Sequence, residues 1–262
     1  ESSTRLNEIG NWLSQHGEAI YAAEGLPLRA NNFDWGYLTY KPSPSNPTVY
    51  AHVFNWPMDK ILRITGINTN PKNIYYNSDK KEKKLSFTKN GSILHINLPE
   101  QSSSDIVSSL RLEYDTLLEI DAEIVPESTY GGFALTTNNL INKEEQHLTT
   151  YDGTRPAYLT ATAKEAKWSV YFPEKGTYSI AVSAHNPTGK IVPIEMSIDN
   201  IKLKALLLPN GKIVVEPNEN NYTDEFIDTN IGKITLQEAG KKQVTFSVGN
   251  NLKVWLNRIW IE

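Results

Sequence analysis

The sequence predicts a mainly β protein: two antiparallel β-sandwiches preceded by one amphipathic helix. Three observations predict this class. Runs of alternating or β-branched residues recur at a spacing of ~8–15 residues from position 35 onward, which is typical of sandwiches. Turn residues separate these runs. Helical periodicity is confined to the first segment.

The first segment, from Ser3 or Thr4 to about Gln15, is the predicted helix. Ser3 or Thr4 is a candidate N-cap, and Gly17 stands where helices often end in a left-handed residue. A lone helix of ~13 residues is marginal, so this helix needs a surface to pack on. Its apolar residues share one helical face: Leu6, Ile9, Trp12 and Leu13.

The later runs predict the strands of the two sandwiches. The first series is 35–41, 48–55, 60–66, 84–88, 92–98 and 108–114. The second series is 118–124, 147–151, 157–163, 166–172, 177–184, 191–198, 212–216, 232–236, 243–248 and 254–261. Asn90-Gly91 predicts a tight hairpin turn, and we interpret the charged run Lys80 to Lys84 before it as a solvated loop.

Composition excludes several classes of protein. The net charge of −4 provides no basic patch for nucleic acid, and no apolar run approaches the ~18 residues of a membrane span. The absence of cysteine excludes disulfides, thiolate metal sites and cysteine nucleophiles.

No catalytic constellation is evident. The five histidines are isolated from one another and from clustered carboxylates, and no metalloprotease, phosphate-loop or serine-hydrolase motif occurs. Glycoside hydrolysis needs two carboxylates at a separation of ~5–9 Å. We interpret the two carboxylate pairs, Asp121 with Glu123 and Glu144 with Glu145, as surface groups or calcium ligands. We therefore assign no catalytic residue.

Aromatic and polar residues near loops of the second sandwich suggest carbohydrate binding. Tyrosine rings can stack on the apolar faces of sugars while charged and amide groups reach the hydroxyls. In contrast, we expect Trp168, Trp255 and Trp260, which lie within strands, to be in the core. The candidate binding residues are Tyr151, Asp152, Arg155, Tyr158 and Tyr222.

Residues 5–118 resemble the C-terminal region of α-L-fucosidases of glycoside hydrolase family 29. The resemblance is carried by RLNEIGNWLSQHGEAIY (5–21), WGYLTY (35–40), VYAHVFNWP (49–57) and SILHINLP (92–99). In that family the first element is the last helix of the catalytic (β/α)8 barrel with its exit, and the others belong to the following sandwich. His16 is a departure, since the family usually has Asn there.

The remainder of the chain is similar to the galactose-binding-like sandwiches of carbohydrate-binding modules, through AKWSVYFPEKGTYSIAVSA (166–184) and LKVWLNRIWI (252–261). The predicted domains are therefore 1–24 (the barrel's last helix and exit segment), 25–117 and 118–262. In several relatives an early acidic strand and a residue of the closing strand coordinate a structural calcium. The corresponding residues here are Glu119, Asp121, Glu123 and Asn257, although relatives often have Asp at the last position.

The resemblance implies a non-catalytic C-terminal portion of an α-L-fucosidase. The nucleophile and acid/base would lie upstream, so this chain alone is expected to be inactive, and Glu18 is interpreted as structural. The expected partners are the catalytic barrel and a fucosylated glycan or other carbohydrate, with no cofactor except the calcium just described. A bacterial periplasmic or extracellular location is expected. The alternatives are a stand-alone lectin-like protein and a purely structural appendage.

Overall fold

A computed structural model describes residues 2–29, 32–78, 81–102, 104, 106–146, 148–149, 158–161, 165–210, 226–249 and 254–262. The chain divides into two compact units, Glu1–Ala122 and Glu123–Glu262. The protein is mainly β with one α-helix among the described residues, which confirms the predicted class. None of its described helices has the length and apolarity to cross a membrane.

The described residues of the first unit form helix α1 (Ser2–His16), a 3₁₀ turn at Gly17–Ala19, and ten strands. The strands are β1 (Glu24–Gly25), β2 (Asn32–Phe33), β3 (Gly36–Lys41), β4 (Thr48–Val53), β5 (Ile61–Thr65), β6 (Asn73–Ser78), β7 (Lys81–Lys84), β8 (Phe87–Asn90), β9 (Ile93–Asn97) and β10 (Ser108–Glu113). A seven-stranded antiparallel sheet has the order β1-β3-β4-β10-β6-β7, with β2 paired to β3, and a three-stranded sheet has the order β5-β9-β8. Buried side chains from both sheets form one core, among them Leu38, Val49, Leu62, Ile64 and Leu110.

The hairpin predicted around Asn90-Gly91 is present. β8 and β9 pair from Asn90 to Ile93 across the turn, and Gly91 adopts a positive φ of 57°. The charged run before it was wrongly interpreted as a loop, since Lys81–Lys84 is β7 at the edge of the seven-stranded sheet. Lysine-rich edge strands discourage pairing with other chains, so charge and strand are compatible here.

The helix begins and ends close to its predicted bounds, but its C-terminal signal differs. Gly17 has no positive φ, and the chain continues into the 3₁₀ turn, where the Tyr21 backbone N–H donates to the Gly17 carbonyl at 2.7 Å. A Cβ at Gly17 would lie 2.6 Å from the Tyr21 ring. A larger residue at this position would therefore require the exposed Tyr21 side chain to move.

The described residues of the second unit form eleven strands in two sheets. They are β11 (Ile124–Val125), β12 (Phe133–Leu135), β13 (Leu148–Thr149), β14 (Tyr158–Ala161), β15 (Ala166–Phe172), β16 (Gly176–His185), β17 (Val192–Ile198), β18 (Ile201–Leu207), β19 (Ile227–Leu236), β20 (Gly240–Val248) and β21 (Val254–Ile261). The five-stranded sheet has the order β11-β15-β20-β17-β18, and its β11–β15 pair is parallel. The six-stranded sheet has the order β13-β14-β21-β16-β19, with β12 paired to β21. The two sheets share one core, which includes Trp168, Phe172, Met196, Phe246 and Ile259.

The run predicted as a strand over 118–124 is mostly irregular. Only Ile124 enters a strand, while Ile120 forms an isolated bridge with Ile67. This bridge, with the bond from the Asp121 N–H to the Gly66 carbonyl, holds the segment on the first unit. The two units therefore meet in sequence after Ala122 rather than after 117.

Candidate functional site

The end of α1 is fixed to the outward face of the seven-stranded sheet. The Trp12 indole N–H donates to the Val107 carbonyl at 3.2 Å, and the Trp12 ring lies 5.0 Å from the His16 ring and 6.3 Å from the His52 ring. Strand β4, which carries His52, is buried from Val49 to Val53 without alternation. The helix and the 3₁₀ turn thus cover the face that would otherwise meet solvent.

Thr39 connects the 3₁₀ turn to β3 and β4. Its hydroxyl donates to the Ala19 carbonyl at 2.8 Å and lies 2.9 Å from Nε2 of His52. Because a hydroxyl has one proton to donate, Nε2 of His52 must be the donor in the second bond. Burial, and then the charge of His16, lower the pKa of His52 from 6.5 to about 4, so its ring is neutral at pH 7.

Glu18 is held by the same sheet face. The Tyr50 hydroxyl donates to Glu18 Oε1 at 3.1 Å, and Arg111 Nη1 lies 3.6 Å from that oxygen. Arg111 also pairs with Glu113 at 3.3 Å and lies 5.1 Å from the centre of the Tyr75 ring. Burial and the Glu18 carboxylate raise the pKa of Tyr50. The Glu18 carboxylate joins the exit of the helix to β4 and β10, which suits a structural role.

The other half of the helix presents apolar side chains to solvent. Leu6 is 68% exposed and Ile9 is 55% exposed, although both lie on the face predicted to pack. On the sheet, Tyr37 and Phe54 form an exposed edge-to-face pair with centroids 6.3 Å apart. We call the exposed side chains of Leu6 and Ile9 the apolar helix face.

The five candidate carbohydrate-binding residues fall largely outside the described part of the chain. Tyr151, Asp152, Arg155 and Tyr222 lie outside it altogether. Tyr158 begins β14 and pairs with Thr149 through the backbone. The assignment of these residues stays a prediction.

The four predicted calcium ligands are divided between the two units. Glu119 is exposed, and its backbone N–H donates to the Thr69 hydroxyl at 2.7 Å. Asp121 belongs to the first unit as well, whereas Glu123 and Asn257 belong to the second. Over the described ranges, no group of three or more His, Cys, Asp or Glu side chains is placed to hold a metal ion. Calcium binding stays a prediction.

Of the three strand tryptophans expected in the core, one is fully buried. Trp168 is 1% exposed, and its indole N–H donates to the Thr136 carbonyl at 2.9 Å. Trp255 is half-buried and stacks on His185 with centroids 4.9 Å apart. Trp260 is also half-buried, and it faces outward from the six-stranded sheet. The expectation of a core role was therefore wrong for Trp255 and Trp260, neither of which belongs to the buried core of the second unit.

A cavity of about 550 Å³ in the second unit lies on the five-stranded sheet. Glu195 lines it, and the Lys202 Nζ lies 2.6 Å from this carboxylate and the Lys204 Nζ 3.8 Å. The hydrogen bond from Lys202 lowers the pKa of Glu195. Among the residues that the structure describes, no aromatic side chain lines this cavity, and its apolar lining residues include Pro193, Ile194 and Leu206.

Two comparisons with known proteins find α-L-fucosidases. Over 58 residues the chain is 43% identical to an α-L-fucosidase of Dictyostelium discoideum. The matched segment covers 22% of this chain and 12% of that protein. The crystal structure of an α-L-fucosidase from Vibrio sp. strain EJY3 matches 98% of this chain and 44% of its own, with a TM-score of 0.58 and 19% identity. The chain resembles part of an α-L-fucosidase. The resemblance stated from the sequence is thereby confirmed.

The remaining comparisons are weaker. No protein-family model matches the chain. A family 35 carbohydrate-binding module from Clostridium thermocellum matches 50% of this chain and 97% of its own, with a TM-score of 0.39 and 12% identity, which is too low to assign a fold. The chain spans less than half of each α-L-fucosidase that it matches.

Proposed function

We propose that this chain is the non-catalytic C-terminal portion of an α-L-fucosidase, and that the apolar helix face packs against a catalytic domain outside the chain. The partial likeness to α-L-fucosidases supports the first half of the proposal. The observation that carries the second half is the contrast along α1: its end is fixed to the sheet by hydrogen bonds and rings, while Leu6 and Ile9 remain in solvent.

Burying that exposed face would release a substantial free energy. Full burial of a Leu or Ile side chain contributes about 1.5–3 kcal/mol. More than half of Leu6 and of Ile9 is exposed, so each retains about 1 kcal/mol or more for a docking partner. Helices of this length are marginal without packing, so a partner also suits the stability of α1 itself.

The chemistry of the whole protein would belong to the catalytic domain. In the proposed reaction, two carboxylates of that domain hydrolyse a terminal α-L-fucosyl linkage with retention of configuration. The role of this chain is to support that domain. Its Glu18 carboxylate interacts with Tyr50 and Arg111, which supports a structural function for this acid.

We also propose that the second unit targets glycans, in a periplasmic or extracellular protein. The resemblance of residues 119–262 to carbohydrate-binding modules is the support for this part. A stand-alone lectin-like protein would bind glycans without needing any catalytic domain. A purely structural appendage would bind none.

The proposal is tested in the isolated chain and in the longer protein that carries it. The isolated chain should not hydrolyse 4-nitrophenyl α-L-fucoside above the uncatalysed rate, whereas the longer protein should. The double substitution Leu6→Ser, Ile9→Ser should lower the melting temperature of the longer protein by several degrees and leave that of the isolated chain nearly unchanged. Turnover by the isolated chain, or equal effects in both proteins, would overturn the proposal.

The matched control uses the opposite side of the same helix. Asn7 and Asn11 are exposed, and they lie about 100° and 140° around the helix from Leu6. The double substitution Asn7→Ser, Asn11→Ser should therefore change the two melting temperatures little and to the same extent. A loss confined to the longer protein in this control as well would show that the helix as a whole, rather than its apolar face, is sensitive.

A further inference from the structure

The outward face of the six-stranded sheet carries a depression of about 270 Å³ that no sequence motif indicated. Three adjacent strands, β19, β16 and β21, build it. It lies entirely within the second unit. We call it the Trp260 site, and its lining residues are Ala181, Ser183, Asp228, Arg258 and Trp260.

Strand register explains the shape of the Trp260 site. Ser183 on the middle strand lies opposite Asp228 on one side and Arg258 on the other. One step along the same face, Trp260 lies between Ala181 and Ala134. The side chains of the middle strand, Ala181 and Ser183, are small and form the floor of the depression. The Trp260 ring and the Asp228–Arg258 pair are larger and form its walls.

The walls offer complementary chemistry. The indole N–H of Trp260 donates to Glu262 Oε2 at 3.0 Å, which fixes the orientation of a partly exposed ring. Across the floor, Arg258 Nη2 and Asp228 Oδ2 are 3.4 Å apart, and their side chains are 49% and 62% exposed. At this distance and exposure the ion pair is weak, so both groups are available to a ligand.

We propose that the Trp260 site binds one neutral pyranose residue of a glycan. The apolar face of the sugar stacks on the Trp260 ring, while two neighbouring hydroxyls contact Asp228 as acceptor and Arg258 as donor. A balanced pair of charges favours a neutral ligand over a uronic acid, and the volume suits a single sugar ring. This inference rests on the proposed function for its ligand class, since that function assigns glycan targeting to the second unit.

The larger cavity on the five-stranded sheet is a poorer candidate for a sugar site. Its Glu195 carboxylate already accepts a hydrogen bond from Lys202, with Lys204 close by, and no aromatic ring lines it. A sugar there would find no stacking partner. The combination of a ring, a donor and an acceptor around a low floor belongs to the Trp260 site.

The test is isothermal titration of the chain with methyl α-L-fucoside, methyl β-D-galactoside and sodium glucuronate. At least one neutral glycoside should bind, and more tightly than glucuronate. Trp260→Ala removes the stacking ring, and Ala181→Leu fills the floor without removing a polar group. Each should weaken binding about tenfold or more, which corresponds to the loss of one good aromatic contact.

The control is Tyr171→Ala. Tyr171 alternates with the buried Val170 and Phe172, so it lies on the outward face of the other sheet, and its removal should leave the affinity unchanged. Circular dichroism and thermal unfolding of every variant establish that it is folded.

Three results would overturn the inference: unchanged affinity in Trp260→Ala, no binding of either neutral glycoside by the unaltered chain, or tighter binding of glucuronate. Binding that survives Trp260→Ala would refute the Trp260 site and leave glycan targeting intact. Absence of all binding would refute targeting as well. Neither result bears on support of a catalytic domain, which is tested by the Leu6 and Ile9 substitutions.

Discussion

Replacing Thr39 by valine should destabilise the first unit by about 2–3 kcal/mol. Valine keeps the shape of threonine but removes the hydroxyl that links the Ala19 carbonyl to the His52 ring. Both partners are buried, with exposures of 2% and 5%. The His52 ring also hydrogen-bonds the Ala19 backbone, so neither partner is left entirely unpaired. Each lost hydrogen bond costs about 1–1.5 kcal/mol in a buried site, which gives about 2–3 kcal/mol for the two.

The assay is calorimetric and urea-induced unfolding of the chain and its Thr39→Val variant. A loss of about 2 kcal/mol should lower the melting temperature of a unit of this size by roughly 8 °C. The matched control is Thr177→Val, which removes an exposed 2.8 Å contact with Thr235 in the second unit and should cost less than about 0.5 kcal/mol. A loss below about 0.5 kcal/mol in Thr39→Val, or equal losses in both variants, would refute the role of Thr39 in fixing the helix exit.

Three further predictions concern the packing inside each unit. The pKa of His52 is about 4 in the folded state and 6.5 in the unfolded chain. The free energy of unfolding should therefore be at its full value above pH 6.5 and fall by about 3 kcal/mol as the pH drops towards 4. The His52→Gln variant should show a flatter pH dependence of the urea midpoint. Gly36→Ala should lower the free energy of urea unfolding by about 3 kcal/mol or more, because φ is 154° and the new Cβ would lie 1.9 Å from the His52 carbonyl oxygen. The control is Gly10→Ala in α1, where a Cβ meets open space; it should stabilise the protein by about 0.5–1 kcal/mol. Trp168→Phe should cost about 2–3 kcal/mol by thermal unfolding, because it leaves a gap in the core and an unpaired Thr136 carbonyl; an unchanged stability would contradict that hydrogen bond.

The strands whose two faces differ in environment were predictable from the sequence. The predicted runs 166–172 and 254–261 coincide with β15 and β21, because their apolar residues face a core. β6 (Asn73–Ser78) and β18 (Ile201–Leu207) were missed. β18 is an edge strand whose exposed positions include both lysines and leucines, so its alternation is blurred.

The orientation of Trp260 could not be predicted by counting along the strand. Strict alternation groups it with Leu256, which is buried. The register of β21 against β16 shifts between Leu256 and Arg258, so Asn257 is an extra residue in a bulge. A bulge exchanges the faces of the residues beyond it, which turns Trp260 outward and keeps Ile259 in the core. Nothing in the local sequence marks that shift.

The exposed face of α1 has a similar explanation. The spacing of Leu6, Ile9 and Trp12 correctly predicts a helix and an apolar face. Periodicity does not identify the surface that covers this face, and it does not show that Trp12, near the end of the helix, is the residue that packs on the sheet beside His52.

Amide hydrogen exchange over α1 tests the proposed docking most directly. In the isolated chain, the amides from residue 3 to residue 11 should exchange rapidly, because the side chains of this half of the helix are exposed to solvent. In the longer protein the same amides should be protected by about tenfold or more, since the apolar face is then buried against the catalytic domain. Equal exchange of this segment in both proteins would contradict the proposal that α1 docks on a domain outside the chain.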